Sequence, residues 1–193
     1  MIPWVLTLAR LPLAAAFAVV VALFIKAAGP LSWTQKAALL VLVAATECTD
    51  MLDGWVARRS GRQSELGGLV DPLCDSLARL TMYFALALAG WVWLGVPLAM
   101  AGRDLVVAYV RVVQGLTGGK TAARASGKAK AIVQGIGLLV LVVAAGVAIP
   151  GSAALLARRV TAAAVLTVTA WSLIDYLRAG WSAIMQMARR KGH

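Results

Sequence analysis

The sequence predicts an all-α integral membrane protein of six transmembrane helices, and two observations lead to that prediction. Of its 193 residues, 61% are hydrophobic and only 14% are charged, whereas about 25% of a soluble domain is charged. The apolar residues also form long runs instead of alternating with polar ones, which favours helices over strands. Together these features exclude a soluble globular fold and a disordered chain.

Six apolar segments follow one another without a linker, and each is close to the roughly 20 residues that a helix needs to cross a bilayer. They cover residues 4–26, 34–58, 67–90, 96–116, 130–149 and 153–177. The first is too long for a signal peptide and contains Arg10, so we expect an uncleaved helix. An amphipathic tail is expected over 180–193, and residues 1–193 are interpreted as a single domain.

The distribution of basic residues predicts that both termini are cytoplasmic, as in a protein of the bacterial inner membrane. Cytoplasmic loops of membrane proteins are enriched in Lys and Arg. With six spans, one side carries eleven basic residues, namely Arg58, Arg59, Arg62, Lys120, Arg124, Lys128, Lys130, Arg178, Arg189, Arg190 and Lys191. The other side carries four, namely Lys26, Lys36, Arg158 and Arg159. The net charge of +11 is therefore assigned to these loops and to membrane lipids, and no nucleic acid is expected as a partner.

Six of the eight acidic residues lie between Glu47 and Asp75. Ionisable groups inside a membrane helix are costly, so they are functional by default. Asp50 and Asp53 are three residues apart and share one face of the second helix, whereas Asp71 and Asp75 share one face of the third. Because the connection between these helices is short, we expect the four carboxylates to meet near the cytoplasmic surface. Their mutual repulsion there requires a cation.

The composition of this cluster predicts hard divalent metals. The only histidine is His193, and the two cysteines, Cys48 and Cys74, form no C-x-x-C pattern. Ligands that are all oxygen favour Mg²⁺ or Mn²⁺, and four carboxylates indicate two metals with open positions for a phosphate-bearing substrate. An ion pathway through a transporter is the competing interpretation. A pathway should cross the bilayer, but the last three spans contain only Asp104 and Asp175 as acids.

Small residues and a guanidinium flank the carboxylates. Gly54, Ala57 and Gly67 remove side-chain bulk, so a ligand can approach the backbone. Arg58 can bind a phosphate through two hydrogen bonds. Ser64, in the following loop, can donate its hydroxyl to the same group.

The spacing of these residues resembles the signature of the CDP-alcohol phosphotransferase family. All eight fixed positions match, in the pattern Asp50-x2-Asp53-Gly54-x2-Ala57-Arg58-x8-Gly67-x3-Asp71-x3-Asp75. The resemblance implies transfer of a phosphatidyl group from CDP-diacylglycerol to an alcohol, with release of CMP. It also implies two metals on the four aspartates, Asp75 as general base, and a homodimer. Contacts to the CDP group are implied for Gly54, Ala57, Arg58, Ser64 and Gly67.

Four basic residues are candidates for binding the acceptor alcohol. The stretches that contain Arg103 and Arg111, and then Lys128 and Lys130, are similar to phosphatidylglycerophosphate synthases. This similarity implies that they bind the phosphate of glycerol 3-phosphate. Ordinary charge of cytoplasmic loops remains the alternative explanation.

The sequence differs from phosphatidylglycerophosphate synthases at several positions, so a second acceptor alcohol remains an alternative. Ser76 follows Asp75 where the branch carries lysine, and Trp4 replaces the asparagine of its amino-terminal pattern. Cys74 before Asp75 is similar to the branch that uses inositol phosphate, so that acceptor is the alternative to glycerol 3-phosphate. Arg79, one turn later, either replaces the missing lysine or extends to the membrane surface.

Overall fold

Six α-helices account for almost all described residues of the structure, which is a computed structural model. The structure describes residues 2–26, 31–60, 65–117, 124–145 and 152–190. The helices are α1 (Ile2–Lys26), α2 (Trp33–Ser60), α3 (Glu65–Leu88), α4 (Gly95–Leu116), α5 (Ala125–Val143) and α6 (Ala153–Arg190). The predicted all-helical fold class is confirmed.

Local signals in the sequence begin α2. The backbone N–H of Ser32 donates to the side chain of Gln35 at 2.8 Å, and the N–H of Gln35 donates back to the Ser32 hydroxyl at 3.3 Å. This reciprocal pair is a capping box, which satisfies two N–H groups that an α-helix leaves open.

The end of α3 is fixed by Gly90, which has a φ of +71°. Its N–H donates to the Ala87 carbonyl at 2.9 Å, and the N–H of Trp91 donates to the Leu86 carbonyl at 2.9 Å. These are the two bonds of a Schellman motif, which needs a left-handed residue and therefore favours glycine. The chain then turns directly into α4.

Three helices are long and apolar enough to cross a membrane when the described residues are searched. The qualifying stretches are Leu8–Ile25 in α1, Ala125–Val143 in α5 and Ala153–Arg189 in α6. Membrane-type helices are thereby confirmed for these three elements. The full set of six spans stays a prediction.

Two helices differ in their bounds from the predicted segments. The fifth span was placed at 130–149, whereas α5 begins at Ala125 and ends at Val143. The tail predicted over 180–193 is continuous with the last span as far as Arg190, because α6 extends to that residue. Gly180 does not break the helix. A Cβ at this glycine would lie 2.4 Å from Cγ1 of Val110, so the residue allows close packing of α6 on α4.

The helices form two triplets. In one, α1 packs against α2 and α3, and in the other, α6 packs against α4 and α5. The triplets are joined by contacts of α3 with α4 and α5 and of α2 with α5. The core between them is apolar, with fully buried side chains such as Phe17, Leu39, Met82 and Leu138.

Polar contacts differ between the two ends of the bundle. At one end they are helix-capping contacts, in which Lys36 Nζ donates to the Val143 carbonyl at 2.8 Å and Arg158 Nε donates to the Trp91 carbonyl at 2.7 Å. These cations meet carbonyl groups at or just beyond helix C-termini, where positive charge is favoured. The opposite end, which we call the site end, contains the predicted acidic and basic site residues.

Candidate active site

Arg10 of α1 places a buried guanidinium against one carboxylate of the acidic cluster. Its side chain is 1% exposed, and Nη1 forms an ion pair with Oδ1 of Asp75. Its Nη2 donates to the carbonyl of Thr49 on α2 at 3.5 Å. The position of Arg10 inside the apolar first span could have indicated such a contact, because a charge there needs a partner of opposite charge. Sequence reasoning used it only to argue against a signal peptide.

Asp71 and Asp75 lie one turn apart on one face of α3, as predicted from their spacing. The structure gathers no group of three or more metal-ligating side chains among the residues that it describes. The Asp71–Asp75 pair nevertheless fits a hard cation, because both donors are carboxylates. The Arg10 guanidinium occupies Asp75 in this structure and would compete with such a cation.

The remaining six signature residues all lie on described helical backbone. Helix α2 runs unbroken to Ser60, so Asp50 and Asp53 keep the helical spacing that places them on one face. Only the backbone is described at these positions, which are Asp50, Asp53, Gly54, Ala57 and Arg58 on α2 and Gly67 on α3. Ser64 lies outside the described residues.

Arg79 forms a bidentate ion pair with Glu47, which connects α3 to α2. The distances are 3.2 Å from Nε to Oε1 and 2.8 Å from Nη2 to Oε2. Arg79 is 8% exposed, so it does not extend to the membrane surface as one of its two interpretations held. A Cβ at Gly135 of α5 would lie 3.2 Å from the Glu47 carboxylate. The pair therefore sits where three helices meet.

Asp104 of α4 joins two of the four acceptor candidates. Its Oδ1 accepts a hydrogen bond from Lys130 Nζ at 2.6 Å and one from Arg103 Nη1 at 2.8 Å. Arg103 Nη2 also donates to the Ser172 hydroxyl at 2.5 Å. All of these side chains are buried or nearly so, with Arg103 8% and Lys130 6% exposed. The sequence analysis assigned no role to Asp104 and named it only as one of the two acidic residues in the last three spans.

Ser76 connects this cluster to the acidic helix. It follows Asp75 directly, and its side chain lies near the Asp104 carboxylate. This is the position at which the synthase branch carries a lysine. In this chain a different cation, the Lys130 ammonium of α5, binds the Asp104 carboxylate near Ser76.

Arg111 joins the cluster through Tyr176 of α6, because its Nη2 lies 3.4 Å from the phenol oxygen. Arg124, just before α5, binds Asp175 through two contacts of 2.7 and 2.8 Å. This carboxylate raises the pKa of the Arg124 guanidinium above its usual value. Lys128, the fourth acceptor candidate, is exposed, so the structure does not bring it into the buried cluster.

The acidic helix pair and the basic cluster are thus neighbours at the site end. A sequence profile of CDP-alcohol phosphatidyltransferases matches residues 1–174. The chain belongs to the CDP-alcohol phosphatidyltransferase family. The eight-residue signature on α2 and α3 agrees with this membership, and members of the family are enzymes.

Two relatives named CDP-diacylglycerol–glycerol-3-phosphate 3-phosphatidyltransferase are similar to this phosphatidyltransferase over most of its length. One, from Pseudomonas fluorescens, is 30% identical over 173 residues, which are 84% of each chain. Another, from Escherichia coli strain K12, is 30% identical over 182 residues, which are 92% of this chain and 93% of the relative. A protein of the same name from Treponema pallidum is 31% identical over 83 residues, which are 43% of this chain and 38% of that relative.

Proposed function

We propose that this chain transfers the phosphatidyl group of CDP-diacylglycerol to a hydroxyl of glycerol 3-phosphate and releases CMP. One observation carries the choice of a phosphorylated acceptor. The Asp104 carboxylate binds the buried cations of Lys130 and Arg103, and Ser76, the residue after Asp75, lies near it. Cations held beside a catalytic carboxylate suit an acceptor that carries its own phosphate. The names of the relatives support the same acceptor.

The signature residues divide into metal ligands and contacts to the donor. The ligands of two divalent cations, Mg²⁺ or Mn²⁺, are Asp50, Asp53, Asp71 and Asp75. Bound there, the metals would stabilise negative charge on the phosphoryl oxygens. Arg58 holds the diphosphate of the donor, and the small residues Gly54, Ala57 and Gly67, with Ser64, leave room for the CDP group.

The proposed reaction is a substitution at the β-phosphorus of the donor. The acceptor oxygen forms a new P–O bond, and the bond between the β-phosphorus and the bridging oxygen breaks with its electrons leaving on CMP. Asp75 takes the proton of the attacking hydroxyl, which is acidic enough only as the new bond forms. Arg103, Arg111 and Lys130 bind the acceptor phosphate, and Lys128 is the exposed candidate at the entrance.

CMP release by the purified protein in detergent with Mg²⁺ tests this proposal. Glycerol 3-phosphate, inositol 1-phosphate, serine and inositol are offered separately. We expect release with glycerol 3-phosphate. Release with inositol 1-phosphate alone would keep the mechanism and refute the acceptor, whereas no release with any acceptor would refute the function. Ion flux without CMP chemistry would favour the transporter class.

Two substitutions test the assigned roles in the same assay. Asp75→Asn removes the base and a metal ligand, so CMP release should be nearly abolished while nucleotide binding is partly retained. Arg58→Lys replaces a bidentate group by a single ammonium, so turnover should fall at least about tenfold. Arg159→Lys, at an exposed residue near the start of α6, is the matched control and should leave turnover unchanged.

We also propose that the chain is one domain of six spans with its active site and both termini on the cytoplasmic side of a bacterial inner membrane. The excess of basic residues in the loops assigned to that side supports this orientation. A membrane-impermeant maleimide should label an Arg159→Cys variant in intact cells, but a Lys128→Cys variant only after permeabilisation. The reverse labelling would invert the topology. The implied homodimer is tested by the mass of the protein in detergent.

A further inference from the structure

Tyr176 on α6 is the side chain at which two basic residues of α4 meet, although the eight-residue signature does not include it. It is 3% exposed. The guanidinium carbons of Arg103 and Arg111 lie 5.1 and 5.5 Å from the centroid of its ring. A guanidinium within about 6 Å of an aromatic centroid is attracted by the ring quadrupole. One ring therefore holds together two cations that repel each other.

The hydroxyl of Tyr176 adds a second kind of contact. Its oxygen accepts hydrogen bonds from Arg111 Nη2 at 3.4 Å and from the backbone N–H of Arg124 at 3.2 Å. The second bond anchors the start of α5, the helix that carries Lys130. A Cβ at Gly127 would lie 2.9 Å from the phenol oxygen. The glycine therefore lets α5 approach Tyr176 closely enough for these bonds.

The two arginines on this ring also carry hydrogen-bond donors that no protein group satisfies. Within the described part of the chain, Nε of Arg103 and Nε of Arg111 are buried and have no partner. The other two nitrogens of Arg103 already bind Asp104 and Ser172. A buried N–H without an acceptor is unfavourable, and guanidinium donors match the geometry of phosphate oxygens. These unsatisfied donors indicate an anion that the protein itself does not supply.

We propose that Tyr176 is a positioning residue for the acceptor phosphate. Its ring and hydroxyl hold Arg103 and Arg111 side by side, so that both guanidiniums meet the phosphate group of the acceptor alcohol. Tyr176 acts through the arginines and does not contact the substrate. Without it, each long side chain would regain rotamers that must be lost again when phosphate binds. The inference rests on the proposed function, because it assigns a phosphorylated acceptor to the basic cluster.

Three variants separate the contributions of the ring and the hydroxyl. Tyr176→Leu removes both, whereas Tyr176→Phe removes only the hydroxyl contacts. Tyr109→Leu is the matched control, because Tyr109 lies on α4 and is 66% exposed. The KM values for glycerol 3-phosphate and for CDP-diacylglycerol are measured separately from CMP release. Thermal unfolding in the same detergent shows whether each variant is folded.

We expect the acceptor KM to rise about tenfold in Tyr176→Leu, the effect of losing two cation–π contacts, and about two- to threefold in Tyr176→Phe. The KM for CDP-diacylglycerol should stay unchanged in both, and Tyr109→Leu should resemble the wild type. An equal rise of both KM values, or a change in kcat alone, would show a purely structural role and overturn the proposal. If Tyr176→Leu does not fold, an unchanged acceptor KM in folded Tyr176→Phe overturns it.

A donor-free measurement distinguishes failure of this inference from failure of the proposed function. Glycerol 3-phosphate should raise the unfolding temperature of the wild type without CDP-diacylglycerol, and it should do so less in Tyr176→Phe. Equal stabilisation of the two proteins, or none in either, refutes the role of Tyr176. A wild type that binds the acceptor but releases no CMP refutes only the phosphatidyl transfer.

Discussion

Replacement of Asp104 by asparagine tests whether one carboxylate holds the basic cluster together. A single oxygen of Asp104 lies 2.6 Å from Lys130 Nζ and 2.8 Å from Arg103 Nη1. Its side chain is 11% exposed, and each of the two cations is 8% exposed at its side chain. Asparagine keeps the shape and one acceptor oxygen but removes the charge. Two buried cations would then remain without a counter-charge.

The expected loss of stability follows from this geometry. Removing one partner of a buried ion pair costs about 3–5 kcal/mol, and the retained amide oxygen favours the lower end, so we expect about 3 kcal/mol. For a chain of this size 1 kcal/mol corresponds to roughly 2–4 °C in Tm, so Asp104→Asn should lower Tm by about 6–12 °C. Asp175→Asn is the control. Its pair with Arg124 is far more exposed, with side chains 28% and 43% accessible, so its Tm should fall much less.

A double-mutant cycle separates the contact from general damage to the fold. Tm is measured in one detergent at one scan rate for Asp104→Asn, Lys130→Met and the double variant. The double variant should lose at least about 1 kcal/mol less than the sum of the single variants, because contacting residues couple by about 0.5–3 kcal/mol. Losses that add to within about 0.5 kcal/mol would refute the shared carboxylate. A fall in Tm for Asp104→Asn as small as that for Asp175→Asn would refute it as well.

Three further outcomes are expected. Gly137→Ala should destabilise the protein by about 1–3 kcal/mol in thermal unfolding, because its Cβ would lie 2.6 Å from the buried Tyr83 hydroxyl. Gly102→Ala, which has no atom within 4 Å of the new Cβ, should be neutral or slightly stabilising, and equal losses would contradict this. Arg10→Gln removes the guanidinium from Asp75, so Mg²⁺ should raise Tm more in this variant than in the wild type. Chelation of divalent cations should abolish CMP release reversibly, and activity that survives EDTA would exclude the two-metal site.

The elements and the acidic face were predictable because both depend on local patterns. Long apolar runs predicted six helical spans, and the described part of the chain forms six helices. Spacing of three and four residues predicted which carboxylates share a helix face, since that depends only on helical geometry. The bounds of α5 and α6 differ from those of the predicted spans. The close approach of Gly180 to Val110 is a contact between helices, which no pattern within one helix reveals.

The partners of the buried charges could not be predicted for the same reason. Arg10 and Asp75 are 65 residues apart, and Arg103 and Ser172 are 69 apart, so their contacts depend on how each helix is rotated and shifted against its neighbours. Sequence alone does require that a buried charge find an opposite charge. That rule predicted a cation among the aspartates, which was assigned to divalent metals, and it did not predict the contact of Arg10 with Asp75. The same rule supports the proposed anionic acceptor, because the basic cluster has more cations than carboxylates and the buried Nε donors of Arg103 and Arg111 have no partner among the described residues.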